Sequence, residues 1–249
     1  MAPALGPGAC QVWWAPVDAA HPGLVAWLDA GERERLARIR TPADRRRFLV
    51  GHALLRAVVG AVTDQPPAGV RLLRERCRRC GAAHGRPRVD GARVSLSHSG
   101  ALAAVAVTRD VEVGVDVEHV HAPRDHDLLA AAVLAPGERA ALARLRSRER
   151  RVGLLRCWTR KEAVLKATGD GTGAGAARVE VSAPDEPAAV VAWDRRPRLV
   201  LPGGLSPPDP PDLHLQDLAG DPDHVACVAM LGARLAVSEH DGRGVLAAV

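Results

Sequence analysis

The chain has 249 residues, 47% of them hydrophobic, which is enough to bury a sizeable core in one domain or two. Its formal net charge of +5 favours an acidic or phosphorylated partner, whereas an aromatic content of 2% disfavours single-stranded nucleic acid, which is bound by stacking on aromatic rings. No apolar run is long enough to span a membrane, and the first thirty residues lack the basic start of a secretory signal, so we expect a cytoplasmic protein.

The first part of the chain is predicted to combine helices with short strands. Thr41 followed by Pro42 is typical of a helix start, because the hydroxyl caps the first turn and proline fits its first position. Apolar residues then recur at helical spacing to about Val62. Weaker patterns predict a strand at residues 12–14, a helix at 24–39 and a strand at 70–73.

A basic loop that follows contains Cys77, Cys80 and His84, whose spacing is typical of half a zinc site. No fourth ligand stands at a predictable distance, so two interpretations stay open: a structural zinc site, or reduced thiols in a loop. The five cysteines are an odd number in unrelated contexts, so no disulfide framework is expected.

The segment Ser97-His98-Ser99 ends a predicted strand over residues 94–100, and residues 101–107 are predicted to return as a second strand. A histidine flanked by serines at a strand end suits an anion-binding edge. The alternative is a turn that satisfies its own backbone.

Residues 111–118 alternate strictly between valine and other residues, which predicts a half-buried strand. Asp116 and Glu118 then lie on the same face of the sheet, with Gly114 beside them removing bulk. These two carboxylates could share a hard cation, or they could form a solvated acidic face.

A long helix is predicted to begin at a Ser147 cap and to end at Gly169. It contains both lysines of the protein, Lys161 and Lys166, and all other basic residues are arginine. Glu162 and Lys166 are spaced as an i,i+4 pair, which is either a surface ion pair or part of a functional site. Shorter helices are predicted at residues 127–133 and 136–145, and strands near 178–181, 190–193, 213–218 and 225–231.

Both halves of the chain show helices followed by short strands. This pattern predicts an α+β protein of two similarly built lobes, each with an antiparallel sheet packed on helices. The boundary is expected near residue 108, giving lobes of residues 1–108 and 109–249.

Three motifs occur together in an order that resembles the Sfp-type 4′-phosphopantetheinyl transferases. They are Ser97-His98-Ser99, the segment from Gly114 to Glu118, and Trp158-x2-Lys161-Glu162-x3-Lys166. The segments Arg47 to Gly51 and Gly85-Arg86-Pro87 are also similar to family positions, so the resemblance covers residues 24–171. It implies a monomer of two pseudo-twofold-related α+β lobes, with coenzyme A in the cleft between them.

The resemblance also implies the reaction and its site. Members transfer the phosphopantetheine arm of coenzyme A to a serine of acyl or peptidyl carrier proteins and release adenosine 3′,5′-bisphosphate, often in secondary metabolism. Asp116, Glu118 and Glu162 would hold Mg²⁺, and Glu162 would take the serine proton. Lys166 and Lys161 would stabilise phosphate charge. The other implied coenzyme A contacts are His98 with Ser97 at a phosphate, Arg47 at the ribose 3′-phosphate, and Arg86 with Pro87 near the adenine.

Two other hypotheses are compatible with parts of the sequence. One is a basic nucleic-acid-binding protein with a zinc loop at Cys77, Cys80 and His84. The other is a degenerate transferase that only binds its ligands, which the intact carboxylates and Lys166 argue against.

Overall fold

The computed structural model describes residues 3–76, 81–82, 85–171, 175–194 and 212–247. The described strands are β1 (Ala9–Pro16), β2 (Leu73–Arg74), β3 (Pro87–Val89), β4 (Ala92–Ser99), β5 (Leu102–Thr108), β6 (Glu112–His119), β7 (Val179–Val181), β8 (Val190–Trp193), β9 (Leu213–Leu218), β10 (His224–Leu231) and β11 (Ala236–Asp241). The α-helices are α1 (Ala30–Arg38), α2 (Pro42–Thr63), α3 (His126–Val133), α4 (Pro136–Ala143), α5 (Ser147–Thr168) and α6 (Arg243–Leu246). Short 3₁₀ helices occupy Val17–Ala19, Pro22–Trp27, Pro67–Gly69 and Ala176–Arg178.

The elements form two α+β lobes, which confirms the predicted fold class. The first lobe contains a sheet in the order β11-β1-β5-β4-β3-β2, with the 22-residue helix α2 against β4 and β5. The second lobe contains the sheet β6-β10-β9 and the pair β7-β8, with the 22-residue helix α5 against β6 and β10. Each lobe is therefore built on one long helix that crosses its sheet. None of the described helices combines the length and apolar character that a membrane crossing requires.

The helix predicted from Thr41 is α2, and its start is as expected. Thr41 Oγ1 accepts a hydrogen bond from the Asp44 amide at 3.2 Å, and Pro42 occupies the first turn. The helix predicted at residues 24–39 is shorter, because Pro22–Trp27 forms a 3₁₀ helix and α1 begins only after Asp29. Asp29 and Glu32 bond each other's backbone amides there, which fixes the start of α1.

The end of the described chain returns to the first lobe. β11 pairs in parallel with β1, and α6 packs against α2. Glu239 on β11 accepts hydrogen bonds from Trp14 Nε1 at 2.9 Å and from the Ala219 amide at 3.0 Å, so it touches both lobes. Residues 236–247, which the expected boundary assigned to the second lobe, therefore belong to the first lobe. Because β11 is parallel to β1, the sheet of the first lobe is mixed rather than antiparallel.

The prediction that β6 is half-buried is wrong, because β6 is covered on both faces. Val113, Val115 and Val117 pack between the two sheets, and the opposite face lies against α5. Gly114 permits this contact, since a Cβ atom at that position would overlap the Ala163 carbonyl oxygen of α5. The acidic residues of β6 are therefore pressed against a helix instead of facing water.

We expect Gly114→Ala to cost roughly 2–3 kcal/mol of folding free energy, because α5 must move away from β6 to admit the methyl group. Chemical denaturation measures this. Gly244→Ala on α6 is the matched control, since no described atom from outside the local helix backbone lies within 4 Å of the methyl group it adds. Equal stability of the two variants would show that α5 does not need this close approach.

Candidate active site

Four charged side chains predicted to act together meet where α5 crosses β6. Asp116 and Glu118 belong to β6, and Glu162 and Lys166 belong to α5. Lys166 Nζ lies 2.7 Å from Asp116 Oδ1 and donates to the Val115 carbonyl at 2.9 Å. The lysine therefore bridges helix and strand instead of forming a surface pair with Glu162.

Asp116 is 5% exposed, and its two carboxylate oxygens differ in their hydrogen bonds. Oδ1 accepts from Lys166 Nζ and, at 2.8 Å, from Ser97 Oγ. Oδ2 is buried without a hydrogen-bond partner in the described part of the chain. Burial raises the pKa of Asp116, and Glu118 adds to the rise, while Lys166 and Ser97 oppose it.

Glu162 is 4% exposed, and its Oε1 is likewise buried without a partner among the described residues. Burial, followed by the negative charges of Asp116 and Glu118, raises the pKa of Glu162 to about 7, against the opposing effect of Lys166. A carboxyl group whose pKa lies near 7 can accept a proton at physiological pH.

Glu118 is better satisfied than its neighbours. Oε1 accepts from Trp158 Nε1 at 3.2 Å, and Oε2 accepts from Ser99 Oγ at 2.8 Å and from Arg124 Nη2 at 2.6 Å. Burial acts to raise the pKa of Glu118, but the bonds from Arg124, Ser99 and Trp158 hold it below its ordinary value. Both oxygens of this carboxylate are therefore engaged within the protein.

The carboxylate oxygens of this site suit a hard divalent cation whose coordination is completed by the substrate. Among the described residues no group of three or more His, Cys, Asp or Glu side chains is arranged to enclose a metal ion. Asp116 Oδ2 and Glu162 Oε1 are nevertheless buried carboxylate oxygens without a hydrogen-bond partner in the part of the chain that the structure describes. Mg²⁺ is commonly held by one or two carboxylates together with substrate phosphates and water, so these two residues fit it.

Comparisons with known proteins place the chain in a family. Residues 112–201 match the model of the 4′-phosphopantetheinyl transferase superfamily, and residues 12–110 match the N-terminal model of 4′-phosphopantetheinyl transferases. The 4′-phosphopantetheinyl transferase HetI of Nostoc sp. is 32% identical over 188 residues, which cover 72% of this chain and 76% of HetI. The chain belongs to the 4′-phosphopantetheinyl transferase superfamily.

Two further relatives agree with this assignment. A phosphopantetheinyl transferase of Thraustochytrium sp. is 30% identical over 198 residues, covering 72% of this chain and 68% of the relative. The 4′-phosphopantetheinyl transferase AcpT of Salmonella typhimurium is 41% identical over 76 residues, or 30% of this chain and 39% of AcpT. The protein is therefore an enzyme of the phosphopantetheinyl transferase class.

Two of the implied coenzyme A contacts lie at the edge of the transferase site in the first lobe. His98 on β4 is exposed, and its pKa is lowered by the surrounding protein and by the nearby charges of Lys166, His52 and Arg47. Arg47 on α2 donates to the Gly100 carbonyl at 3.0 Å and pairs with Asp44. Arg47 and Lys166 give this edge of the transferase a positive field, and the lowered pKa of His98 leaves its imidazole neutral at physiological pH.

Arg86 is already engaged inside the transferase. Its guanidinium lies 3.0 Å from Glu75 Oε2 and 3.1 Å from Glu112 Oε2, and it also donates to the Ala167 carbonyl near the end of α5. Arg86 therefore ties the β2–β3 hairpin to α5. Pro87 follows it as the first residue of β3.

Lys161 lies away from the transferase site, which corrects the expectation that it stabilises phosphate charge there. It is fully buried inside the second lobe, with Nζ 2.6 Å from Glu138 Oε2. Nζ also donates to the Val133 carbonyl at 2.7 Å and the Ala176 carbonyl at 3.2 Å. The reason is geometric, because adjacent helix residues differ by about 100° in direction and Glu162 already faces β6.

Trp158 and Arg124 are site residues that the sequence did not identify. Trp158 belongs to the motif that carries the family resemblance but was given no role in the site, yet its indole N–H donates to Glu118. Its position one turn before Glu162 was the available signal. Arg124 follows β6 in a loop that carries no pattern, so nothing in the sequence pointed to it.

We expect Trp158→Phe to lower kcat/KM about tenfold, since it removes a hydrogen bond to a charged group, a bond generally worth about 1.5–3 kcal/mol. Steady-state kinetics measure the loss. Trp27→Phe in the core of the first lobe is the control and should alter stability but not kcat/KM. Equal kcat/KM for the two variants would show that the indole only fills space.

Some expectations concern other parts of the chain. Cys77, Cys80 and His84, the residues of the possible zinc site, lie outside the described residues. Ser147 does not cap α5, because the helix begins at Ser147 and Arg146 occupies the capping position. Gly169 ends α5 as predicted, with a left-handed φ of 74°.

Proposed function

We propose that this transferase moves the 4′-phosphopantetheine arm of coenzyme A onto a serine hydroxyl of an apo acyl or peptidyl carrier protein. The reaction requires Mg²⁺ and releases adenosine 3′,5′-bisphosphate. The observation that supports it most is the buried pair Asp116 and Glu162, next to the ammonium of Lys166. Each of the two has one carboxylate oxygen without a partner among the described residues. Buried carboxylates without partners are costly unless a cation or a proton completes them.

The carboxylates hold the cation and receive the proton. Asp116 and Glu162 would hold Mg²⁺ through the oxygens that have no partner among the described residues, and Glu118 would be the third carboxylate of the set. When bound, Mg²⁺ neutralises charge on the pyrophosphate of coenzyme A. Glu162 accepts the proton of the attacking serine hydroxyl, directly or through water.

The basic residues bind the nucleotide and stabilise the charge that develops on phosphate. Lys166 is fixed by Asp116 and by the Val115 and Leu96 carbonyls, so its positive charge is held in place before the substrate arrives. We assign His98 to a phosphate of coenzyme A and Arg47 to the ribose 3′-phosphate. Arg86 with Pro87 lies at the adenine end, where the apolar face of a guanidinium held by Glu75 and Glu112 can stack on the base.

The protein partner is an acidic carrier protein. The net charge of +5 favours encounter with such a partner by electrostatic attraction. We propose a monomer, because both lobes that border the site are supplied by one chain. We further propose that it acts in the cytoplasm, in secondary metabolism.

The test is incubation of the protein with coenzyme A, Mg²⁺ and a panel of apo carrier proteins, followed by intact-protein mass spectrometry. The expected result is the gain of one phosphopantetheine on at least one carrier. A chelator should abolish the gain, and added Mg²⁺ should restore it. The proposal fails if no carrier is modified, or if transfer proceeds equally well in the presence of the chelator.

A further inference from the structure

A row of three alternate serines on β4, here called the serine ladder (Ser95, Ser97 and Ser99), faces the second lobe. Since side chains alternate along a strand, Leu96 and His98 point the other way, and both lie next to Gly51 of α2. β4 thus presents its hydroxyls to β6 and its other side chains to its own lobe.

Each hydroxyl of the serine ladder accepts a backbone N–H of β6. The Val115 amide donates to Ser95 Oγ at 3.0 Å, the Val117 amide to Ser97 Oγ at 3.4 Å, and the His119 amide to Ser99 Oγ at 3.1 Å. β4 and β6 belong to different sheets, so these hydroxyls replace backbone carbonyls as acceptors. Because each pair is separated by 20 residues, the two strands run in the same direction in one fixed register.

Two of the three hydroxyls also reach the carboxylates. A serine hydroxyl can accept and donate at once, and its single proton goes to one acceptor. Ser97 Oγ donates to Asp116 Oδ1 and Ser99 Oγ donates to Glu118 Oε2, both at 2.8 Å. The corresponding position for Ser95 is Gly114, which has no side chain, so Ser95 bonds the strand without touching a carboxylate.

We propose that Ser97 and Ser99 are positioning residues that fix the carboxylates of Asp116 and Glu118 for the cation, rather than ligands of coenzyme A. The proposal rests on the proposed function, since it concerns the cation that the transferase uses. Ser97 is buried, and its hydroxyl proton is committed to Asp116. The register of the two lobes and the geometry of the carboxylates are then set by the same hydroxyls.

The matched set of variants is Ser97→Ala, Ser99→Ala, Ser99→Thr and the control Ser95→Ala. All three alanine changes remove a bond to the β6 backbone, but only Ser97→Ala and Ser99→Ala also remove a bond to a carboxylate. Ser99→Thr keeps the hydroxyl at a half-buried position. Ser95→Ala therefore shows the effect of a weaker contact between the lobes alone, without any change in the orientation of a carboxylate.

The measurement is Mn²⁺ binding to the full chain with coenzyme A, followed by electron paramagnetic resonance of the free ion. Loss of a side chain that orients a metal ligand typically weakens metal affinity about 10- to 100-fold. We expect a rise of about tenfold or more in Kd for Ser97→Ala and Ser99→Ala, and recovery in Ser99→Thr. Ser95→Ala should lower Tm but leave Kd within about twofold of wild type.

Kinetics give a second readout. The Mg²⁺ concentration for half-maximal transfer should rise in Ser97→Ala and Ser99→Ala, while KM for coenzyme A at saturating Mg²⁺ stays constant. Equal Mn²⁺ affinity in the three alanine variants, or a selective rise in KM for coenzyme A, would overturn the positioning role. If wild type itself binds no Mn²⁺, the metal assignment of the proposed function fails together with this one. If only the positioning role is wrong, wild type still binds Mn²⁺ and still transfers phosphopantetheine.

Discussion

Replacing Glu162 with glutamine is expected to abolish transfer and, at the same time, to stabilise the metal-free protein above pH 7. Glutamine has nearly the same shape but cannot take the proton of the serine or offer a charged oxygen to a cation. General base catalysis alone contributes about 10²- to 10⁴-fold, so we expect a loss of at least about 10³-fold in kcat. Mass spectrometry of an apo carrier and steady-state kinetics measure this loss.

The gain in stability follows from the raised pKa of Glu162. In the fold the pKa is about 7, against an ordinary value of 4.5, because burial and then the charges of Asp116 and Glu118 disfavour ionisation. Between these two pH values the folded protein binds more protons than the unfolded chain, so its stability falls as the pH rises. Above pH 7 the full cost is present, on the order of 3 kcal/mol. Glutamine cannot ionise, so the Glu162→Gln variant does not bear this cost.

Chemical denaturation at pH 5 and pH 8 with a chelator present measures the effect. We expect Glu162→Gln to match wild type at pH 5 and to exceed it by about 2–3 kcal/mol at pH 8. The control is Glu34→Gln, which alters an exposed carboxylate paired only with Arg38 among the described contacts. Mg²⁺ should stabilise wild type but not Glu162→Gln. If the unfolding free energies of wild type and Glu162→Gln depended on pH in the same way, the raised pKa of Glu162 would be contradicted.

The local patterns of the sequence predicted the elements that carry the site. Alternation gave the face of β6 that holds Asp116 and Glu118, and helical spacing placed Glu162 and Lys166 together on α5. Burial of that face was not predictable, because an alternating strand looks half-buried until the helix that covers it is known. The unpartnered oxygens of Asp116 and Glu162 depend on that covering helix.

Long-range contacts account for what the sequence missed. β11 has a mostly polar sequence and pairs with β1, more than two hundred residues away, so no local pattern indicates it. Arg124 reaches Glu118 from an irregular loop. In contrast, the serine ladder is visible in the sequence as alternate serines, but the partner strand that gives it meaning is known only from the fold.

The two lysines of α5 show where sequence reasoning reaches its limit. The family resemblance implied a phosphate contact for both, and all other basic residues of the chain are arginine. Their spacing of five residues turns them about 140° apart on the helix, so only one can face β6. Lys166 faces Asp116, and Lys161 faces Glu138 of α4. Compact ammonium groups are needed at both places, for different reasons.

Lys161→Met is therefore expected to destabilise the fold by about 3–5 kcal/mol without changing KM for coenzyme A in the protein that remains folded. The loss arises because Glu138, which is 2% exposed, keeps a buried charge with no counter-ion. Lys161→Met combined with Glu138→Gln should recover much of the stability, since neither residue is then charged.

Lys166→Met on the same helix provides the matched comparison. Lys166 keeps 28% of its side chain exposed, so its loss should cost less stability than that of Lys161, yet it should reduce kcat strongly. Denaturation and kinetics on both variants separate the two roles. A rise in KM for coenzyme A in Lys161→Met, with the fold intact, would return that lysine to the phosphate site and would mean that α5 turns about its axis when the substrate binds.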